Sequence, residues 1–596
     1  MMVGMCRSGR RACRYAAPVL LVAASYLAAC TGSRPSSPPA PDTANSSPAS
    51  TPATSAAPGV ADELRRLLDE EPARAEDAFG RAIREDARRF YSAAGFRAMW
   101  TTDDGQPTSD AAEAAALFAE AGLDGLSSAD YATDQPQAIA TALNVAVHTP
   151  PVRARFDVGM TTAVLRYFRH VHVGRVDPES SGFRMIKPDN QHDFVAALES
   201  ALEGHRVRRA AAELAPPFQL YQRLRDALAR YRALATEAPA PFRLTGLPKI
   251  EPGQEFDGAP ALAHRLSLLG DMDADEDAPV ATASSGGALY DESLAEGVRR
   301  FQRRHGLTPD GVIGKSTMAA LNVPLADRVR QIEFALERLR WLPHIGPGRF
   351  IAVNIPMFRL WAWDDVRSGG APAFVSDVIV GRAPGTRTPV LASALTHLVL
   401  RPYWNVPASI ARGELIPAWR KDSSYFDAHN LEIVAGQTDD ATPVPATADA
   451  VAELERGRLR LRQRPGPDNS LGLVKFIFPN EENVYLHATP ATQLFGRSRR
   501  DFSHGCVRVE NPVGLAEWLL AGDAEWNRSR ITAAMQGARP LSVNVSPPVQ
   551  VVLFYITAAV MPEDGTLAFA EDIYGHDALL AQALDRRAAS GGLVRP

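Results

Sequence analysis

Cys506 and two histidines, His487 and His504, have the residue types and the spacing that nucleophilic chemistry requires. A cysteine attacks as its thiolate, which near neutral pH needs a neighbouring base or a lowered thiol pKa. His487 ends an alternating run, Asn483–His487, that is typical of a β-strand, and the loop that follows can bring it back beside the thiol. His504 is two residues from Cys506 in the sequence. Both histidines are therefore candidate bases.

The residues that surround Cys506 suit the same chemistry. Cys506 lies in the segment 501–509, DFSHGCVRV, which we expect to be extended. Side chains alternate along a strand, so His504 and Arg508 would then share the face of the thiol. Gly505 leaves room for a substrate carbonyl, and backbone N–H groups there are candidates to hold an oxyanion. Arg508 is a candidate partner for a substrate carboxylate.

Geometry separates the two histidines. A residue two positions along a strand is roughly 6.5 to 7 Å away at the backbone, and its side chain runs parallel to the thiol. A base must come within about 2.6 to 3.2 Å, which a histidine on a facing strand achieves more readily. We therefore expect His487 to be the base and to keep the pKa of the thiol low. His504 is expected to shape the site instead.

The cysteine count supports a free thiol. Of the 4 cysteines, Cys6, Cys13 and Cys30 fall in a segment with the features of an export signal, which leaves Cys506 alone in the processed protein. A lone thiol cannot form an internal disulfide. The alternative is a structural role, because free cysteine is among the most buried residue types.

A resemblance to a known family decides between these interpretations. The stretch HATPATQLFGRSRRDFSHGCVRVENP (487–512) resembles the signature of the L,D-transpeptidase catalytic domain of the YkuD type. Three further segments resemble the long, YcbB-like branch of that family: VGRAPGTRTPVL (380–391), RPYWNVPASI (401–410) and RQRPGPDNSLGLVKFIFPN (462–480). The resemblance covers most of residues 61–580.

The resemblance implies a cysteine-dependent acyltransferase that acts on peptidoglycan. Cys506 would attack the carbonyl of the third stem residue, expel the terminal D-Ala and form a thioester. His487 would serve as the base, and the amine of a second stem would then complete a 3→3 cross-link. No metal or organic cofactor is implied. The oxyanion and substrate-binding part of the site would consist of Ser503, His504, Gly505 and Arg508.

One position departs from the family pattern, and other functions stay open. Close relatives often carry Asp or Gly where this chain has Ala488, and that residue is thought to act mainly through its backbone carbonyl. The same acyl-enzyme could be resolved by water, which would make an L,D-carboxypeptidase or endopeptidase. A non-catalytic peptidoglycan-binding scaffold is a further alternative, although the complete motif argues against it.

The N-terminal residues predict export and a lipid anchor. Several arginines precede an apolar run, Ala16–Ala29, whose length suits a secretory signal better than a membrane-spanning helix. Leu27–Cys30 resembles a bacterial lipobox, which implies cleavage before Cys30 and lipidation of that cysteine. Thr31 follows, so the usual sorting rule favours the outer membrane. We expect a periplasmic, lipid-anchored protein of a Gram-negative bacterium; the alternatives are a plain signal peptide and a short membrane anchor.

The segments that position the site predict a multidomain α+β protein. Residues 30–60 are rich in Pro, Ser and Ala and suit a flexible tether. The stretch FQRRHGLTPDGVIGKST (301–317) resembles a small peptidoglycan-binding domain of three helices. The expected domains are a signal peptide (1–29), the tether (30–60), an α-helical scaffold domain (61–245), the peptidoglycan-binding domain (255–325) and a mostly-β catalytic domain (345–580) with a lid insertion at about 407–462.

Alternating apolar residues predict the strands of the catalytic domain. They are Phe350–Ile355, Leu360–Trp363, Phe374–Val380, Thr396–Leu400, Val474–Phe478 and Val549–Phe554.

Composition restricts the partners. The 596 residues carry 64 basic and 69 acidic side chains, a formal net charge of −5, so the basic excess on which nucleic-acid binding depends is missing. We expect no nucleic-acid partner. The expected partners are peptidoglycan stem peptides and glycan, a membrane reached through the N-terminal lipid, and peptidoglycan synthases.

Overall fold

The structure is a computed structural model, and its described residues are 59–70, 78–131, 149–181, 183, 192–244, 248–272, 288–343 and 345–590. The expected signal peptide, Cys30 and nearly all of the tether lie outside them. Pro58–Pro596 cluster as one compact unit. Within the described part of the chain, no helix combines the length and the apolar character that crossing a membrane requires.

The N-terminal part of this unit is helical, as the sequence predicts. Its helices are amphipathic or apolar and pack around a common core that contains Phe90, Trp100 and Phe168. The helices are α1 (Val60–Asp69), α2 (Ala78–Ala93), α3 (Ser109–Ala119), α4 (Pro150–Val173), α5 (Phe194–Glu203), α6 (Val207–Leu214) and α7 (Gln219–Glu237), with short 3-10 turns at Ala121–Asp124, Ser128–Asp130 and Pro178–Ser181.

Three helices follow, as the resemblance to a peptidoglycan-binding domain implies: α8 (Ala259–Leu269), α9 (Glu292–Arg304) and α10 (Lys315–Leu321). The hydrogen bonds of Gln302 explain why the 301–317 motif contains a glutamine at this position. Gln302, buried on α9, donates to Asp310 Oδ1 and to the Val312 carbonyl, both at 3.0 Å, and accepts from the Gly311 N–H at 2.9 Å. Gly311 has φ +73°, a conformation that favours glycine. The glutamine therefore fixes the turn that leads into α10.

A long helix, α11 (Leu325–Leu339), joins this part to the C-terminal region and carries a buried ionic cluster. Glu337 Oε2 lies 3.0 Å from both Arg175 Nε and Arg340 Nη1, and Arg340 Nη2 donates to the Tyr221 hydroxyl at 2.9 Å. Burial alone would raise the pKa of Glu337, but the charges of Arg175 and Arg340 outweigh it and hold the pKa below its ordinary value. The cluster ties α7 and the segment that follows α4 to α11.

We expect Glu337→Ala to lower the free energy of unfolding by about 3 to 5 kcal/mol, because it leaves two arginine charges without their buried carboxylate. Chemical denaturation followed by circular dichroism measures this. Glu453, an exposed carboxylate paired with Arg456 and Arg458, provides the control. Glu453→Ala should leave the midpoint unchanged. Equal losses in the two variants would contradict a special role for the buried cluster.

The C-terminal region is built on a large sheet, in agreement with the expected mostly-β domain. Its strand order is β11-β3-β12-β10-β9-β4-β13-β1-β2, and β2 also pairs with β3, so the sheet closes on itself. Its strands are β1 (Phe350–Asn354), β2 (Arg359–Trp363), β3 (Phe374–Gly381), β4 (Leu391–Leu400), β9 (Val474–Ile477), β10 (Leu486–His487), β11 (Asp501–Ser503), β12 (Val507–Val509) and β13 (Leu541–Phe554).

The interior of this sheet follows from the alternation in the sequence. Leu398, Phe476, Leu486 and Val507 are fully buried and belong to one core. Their sequence neighbours therefore lie on the opposite face of the sheet. Helices α16 (Pro512–Leu520), α17 (Arg528–Met535) and α18 (His576–Ser590) and the hairpin of β14 (Ala558–Val560) and β15 (Leu567–Phe569) complete this region, with 3-10 turns at Val366–Ser368 and Thr492–Gly496.

The expected lid insertion has a small fold of its own. The sequence predicts a polar, partly helical segment, and the structure adds a four-stranded sheet in the order β5-β8-β6-β7. Phe426, which is 1% exposed, packs in the core of the insertion. Its elements are β5 (Trp404–Asn405), α12 (Ala408–Ile410), a π-helical turn (Ala411–Leu415), α13 (Ile416–Lys421), α14 (Tyr425–Ala428), β6 (Leu431–Ala435), β7 (Thr442–Val444), α15 (Ala448–Glu455) and β8 (Arg460–Gln463).

Candidate active site

Cys506 lies in a tight turn between β11 and β12. The expectation of a continuous extended segment is wrong, because the chain reverses at Gly505, whose φ of +117° lies in the region that favours glycine. β11 pairs with β3 in parallel, whereas β12 pairs with the other edge of β3 in antiparallel orientation and with β10 in parallel. Cys506 and Arg508 still share a face, but His504 is on the other side of the turn.

Ser503 and a second loop hold this turn in place. The Ser503 hydroxyl donates to the Cys506 carbonyl at 2.5 Å and accepts from the Gly505 N–H at 3.2 Å. The buried Thr388 hydroxyl donates to the Gly505 carbonyl at 2.8 Å. Tyr574, from the segment before α18, donates its hydroxyl to the Gly381 carbonyl at 2.5 Å and accepts from the Thr388 N–H at 3.1 Å. The backbone around the thiol is therefore fixed from two sides.

His487 lies on the strand next to the thiol, as the sequence predicts. β10 and β12 are parallel, with His487 opposite Arg508 and Leu486 opposite Val507, and the Val507 N–H donates to the Tyr485 carbonyl at 3.1 Å. Residues opposite each other on neighbouring strands point to the same face. Cys506, Tyr485, His487 and Arg508 therefore line one face of the sheet.

The environment of His487 favours the neutral imidazole. The ring is 4% exposed, and its Nδ1 lies 2.5 Å from the Ala488 carbonyl, to which the Nδ1–H donates. This leaves Nε2 with the lone pair. Burial, with a smaller contribution from the charge of Arg508, lowers the pKa of His487 to about 3, although the Ala488 and Leu471 carbonyls oppose the shift. A neutral histidine can accept a proton.

The departure at Ala488 leaves this carbonyl in place. Gly472, with φ +61°, passes so close that a Cβ there would lie 2.6 Å from the Ala488 Cβ. A small side chain at 488 is therefore compatible with the packing around the histidine.

The pKa of the thiol differs from the expectation. Burial raises the pKa of Cys506, and this effect outweighs the backbone N–H and phenol of Tyr485 and the charge of Arg508, which act in the opposite direction. The expected low pKa is therefore wrong for the site without a substrate, because desolvation penalises the thiolate. Cys506 is a neutral thiol until a base removes its proton.

The two reactive side chains are neighbours without a direct bond. Among the described residues, Cys506 Sγ lies 4.0 Å from the Asn483 carbonyl and also interacts with the N–H and phenol of Tyr485, and no bond joins the thiol to His487. The two side chains are diagonal neighbours across adjacent strands, a separation that long side chains can bridge. Catalytic hydrogen bonds are often long before substrate binds.

His504 faces the insertion, away from the thiol. Its Nε2 lies 2.7 Å from Glu414 Oε1, and the two side chains stay 40% and 55% exposed. Glu414 belongs to the π-helical turn, so this contact joins the catalytic turn to the insertion. The structure therefore places His487, and not His504, on the face of the sheet that carries Cys506.

Arg508 supplies the positive charge of this face. Its Nε is buried without a hydrogen-bond partner, and burial lowers its pKa. A guanidinium in this state is suited to bind an anionic group that enters the site. Among the described residues, no group of three or more His, Cys, Asp or Glu side chains is arranged to hold a metal ion.

Several residues at the site were not found from the sequence. Tyr485 shares the parity of His487 on the same run, so alternation could have placed it on this face. Thr388, Tyr574 and Glu414 are far from Cys506 in the sequence, and no local pattern connects them with the turn. Their contacts with it depend on how the strands are arranged.

Comparison with known proteins finds three matching domain profiles and a curated relative. Residues 348–535 match the profile described as "L,D-transpeptidase catalytic domain", residues 85–228 match "Scaffold domain", and residues 266–321 match "Putative peptidoglycan binding domain". A curated protein of Haemophilus influenzae, named "Putative L,D-transpeptidase", is 36% identical over 241 residues, which are 40% of this chain.

The similar region covers 47% of the H. influenzae protein, so this chain spans about half of that relative's length. The catalytic-domain match contains Cys506, His487 and the whole insertion. Three regions of the chain are therefore similar to an L,D-transpeptidase catalytic domain of the YkuD type, a scaffold domain and a peptidoglycan-binding domain, in agreement with the resemblance.

Proposed function

We propose that this protein is an L,D-transpeptidase that forms 3→3 cross-links in peptidoglycan through a thioester on Cys506. One observation supports this most directly. The free thiol lies in a rigid turn on the same sheet face as a buried, neutral histidine, within the region that matches the catalytic-domain profile. A thiol beside a neutral base is the arrangement that acyl transfer through a cysteine requires.

In the first half-reaction, His487 Nε2 takes the proton of the Cys506 thiol while Sγ bonds to the carbonyl carbon of the third stem residue. The carbonyl becomes an oxyanion, which then collapses and breaks the bond to the terminal D-Ala. The imidazolium returns its proton to the departing amine. The product is a thioester of the shortened stem and free D-Ala.

In the second half-reaction, the side-chain amine of another stem attacks the thioester carbonyl. His487 removes a proton from the attacking amine and returns one to Sγ as the carbon–sulfur bond breaks. The net change replaces the bond to D-Ala by a 3→3 cross-link, and both steps use the same base.

The turn supplies the oxyanion donors. The Gly505 N–H already donates to Ser503 Oγ, so the oxyanion would depend mainly on the Cys506 N–H, for which the described residues include no acceptor. Ser503 would act by holding this turn, and Arg508 would orient an anionic part of the donor. Removing one such donor typically costs about 100- to 1,000-fold in rate.

Muropeptide analysis tests the proposal. Purified protein is incubated with disaccharide tetrapeptides, and the products are identified by mass spectrometry. A dimer that has lost one D-Ala, cross-linked between two third residues, is the expected product. Cys506→Ala is the matched control and should release nothing.

Other products would replace the proposal by one of its alternatives. Tripeptide without dimer would show that water resolves the thioester, as in an L,D-carboxypeptidase. Cleavage of preformed cross-links would show an endopeptidase. Binding to peptidoglycan without any product would indicate a scaffold.

We further propose that Cys30 carries the lipid that holds the protein at the outer membrane of a Gram-negative cell, where peptidoglycan synthases would supply its substrate. Metabolic labelling with a palmitate analogue should label the wild type and not Cys30→Ser. Intact-mass analysis should place the modified cysteine at the mature N-terminus. A labelled Cys30→Ser variant, or an unmodified N-terminus elsewhere, would contradict the anchor.

A further inference from the structure

Lys475 is a cation on the active-site face with no assigned role. It lies on β9, opposite His487 of β10 and opposite Val399 of β4. Its neighbours Val474 and Phe476 are fully buried in the core on the other side of the sheet. The ammonium group therefore belongs to the face that carries the thiol.

This lysine is largely withdrawn from water and has no close carboxylate. Burial lowers the pKa of Lys475, and the negative charge of Asp439 opposes this effect only in part. Within the described residues, no carboxylate forms an ion pair with its ammonium group. A desolvated cation without a partner costs free energy, which a bound anion can recover.

The neighbouring charges make this face suited to a carboxylate. Arg508, two strands away, has a buried Nε without a partner. His397, on β4 beside β9, has its pKa lowered by burial and by the charge of Lys475, so it is neutral and adds no positive charge. Lys475 is therefore the cation on the far side of His487 from Arg508.

Asp439, in the insertion, contributes a negative charge that acts on Lys475. It is an exposed residue of the loop between β6 and β7 in the insertion, and Arg462 Nη1 donates to its backbone carbonyl at 2.7 Å. That bond fixes the backbone of the loop. The charge of Asp439 acts to raise the pKa of Lys475 without an ion pair between them, and a carboxylate and an ammonium group on one face match a ligand that carries both charges.

We propose that Lys475 binds the side-chain carboxylate of the third residue of the donor stem, with Asp439 facing the amine beside that carboxylate. The inference rests on the proposed function and names the part of the substrate that the site recognises. The ligand class is a diamino-dicarboxylic side chain such as that of diaminopimelate. An amidated side chain or a simple diamine lacks the group that Lys475 would bind.

The distances suit this assignment. Neighbouring strands are about 4.8 Å apart, so β9 lies roughly 10 Å from β12 and its thiol. The flexible stem of the lysine shortens the gap between its ammonium group and the reacting carbonyl. A side chain of several methylene groups, attached at the carbonyl that Cys506 attacks, can reach the lysine across His487.

Two donors that differ in one group test the inference. Full-length protein is mixed with a tetrapeptide whose third residue has a free side-chain carboxylate, or with the same peptide as its carboxamide. Thioester formation is followed by intact-mass spectrometry. We expect the wild type to react about tenfold faster or more with the carboxylate donor.

Lys475→Met keeps the stem of the side chain and removes its charge. It should slow the reaction with the carboxylate donor about tenfold or more and change the carboxamide reaction less than about twofold. Lys421→Met, at an exposed lysine of the insertion, should behave as wild type. Asp439→Asn should slow thioester formation with the carboxylate donor, whose third residue also carries a side-chain amine. Acylation by a carbapenem, which lacks this side chain, should still occur in all three variants and shows that each keeps a reactive thiol.

The results distinguish failure of the role of Lys475 from failure of the proposed transpeptidase function. Equal slowing of both donors by Lys475→Met, or no preference in the wild type, would overturn the role of Lys475 and leave the transpeptidase in place. No thioester with either donor in the wild type, while the carbapenem still adds, would overturn the proposed function and this inference with it.

Discussion

We expect a carbapenem to form one covalent adduct with this protein, and Cys506→Ala to abolish both that adduct and the proposed cross-linking. The thiol would add to the β-lactam carbonyl and open the ring, so the whole mass of the drug is retained. Cys506 is the free cysteine of the described chain, and it is held in the turn between β11 and β12. Loss of a covalent nucleophile costs about four or more orders of magnitude in rate.

Intact-mass spectrometry measures the adduct, and a thermal melt shows whether the variant is folded. The thiol is not part of the apolar core, so the melting temperature should change little. Cys506→Ser is a closer match in size and should also lose the adduct, because a hydroxyl is a much weaker nucleophile near neutral pH. An adduct that persists in the folded alanine variant would exclude Cys506 as the nucleophile.

His487→Ala is expected to slow acylation by about two or more orders of magnitude, the usual effect of losing a general base. The effect should also depend on pH in a specific way. With the base removed, the neutral thiol must lose its proton to solvent, and the rate should rise about tenfold for each pH unit. Stopped-flow acylation by a carbapenem between pH 5 and 8 measures both effects.

The wild type should show the opposite profile. Since burial lowers the pKa of His487 to about 3, the ring is neutral throughout this range and its base form is not lost on acidification. The rate should therefore be nearly constant from pH 7 down to pH 5. A histidine with the ordinary pKa of about 6.5 would instead lose about 25-fold of its neutral form over that interval.

His504→Ala is the matched control, because it removes a second histidine two residues from the thiol. Its ring contacts Glu414 of the insertion at 2.7 Å, so the variant should keep the flat pH profile even if turnover falls. A steep profile in His504→Ala with a flat one in His487→Ala would reverse the assignment of the base.

Much of the fold could be predicted because its patterns are local. The alternation in Phe350–Ile355 and Phe374–Val380 predicted strands that the structure contains with ends shifted by one residue. The motif at 301–317 predicted a small domain of three helices, and Gln302 holds the turn that leads into the last of them. Periodicity and turn residues act over a few positions, so a sequence shows them directly.

The prediction failed where the backbone departs from regular geometry. The segment around Cys506 reads as an alternating strand, but Gly505 adopts a positive φ and divides it into β11 and β12. Because of that reversal, His504 lies against Glu414 instead of beside the thiol. The strand expected at Asn483–His487 is confined to its last two residues.

The sequence by itself predicted Cys506 as the nucleophile and His487 as the base, since these expectations follow from residue type, spacing and a specific motif. Only the tertiary structure decided the electrostatics. Burial set the neutral state of His487 and raised the thiol pKa, and strand order placed Lys475 on the same face. Desolvation and strand pairing depend on residues far apart in the chain, and no local pattern records them.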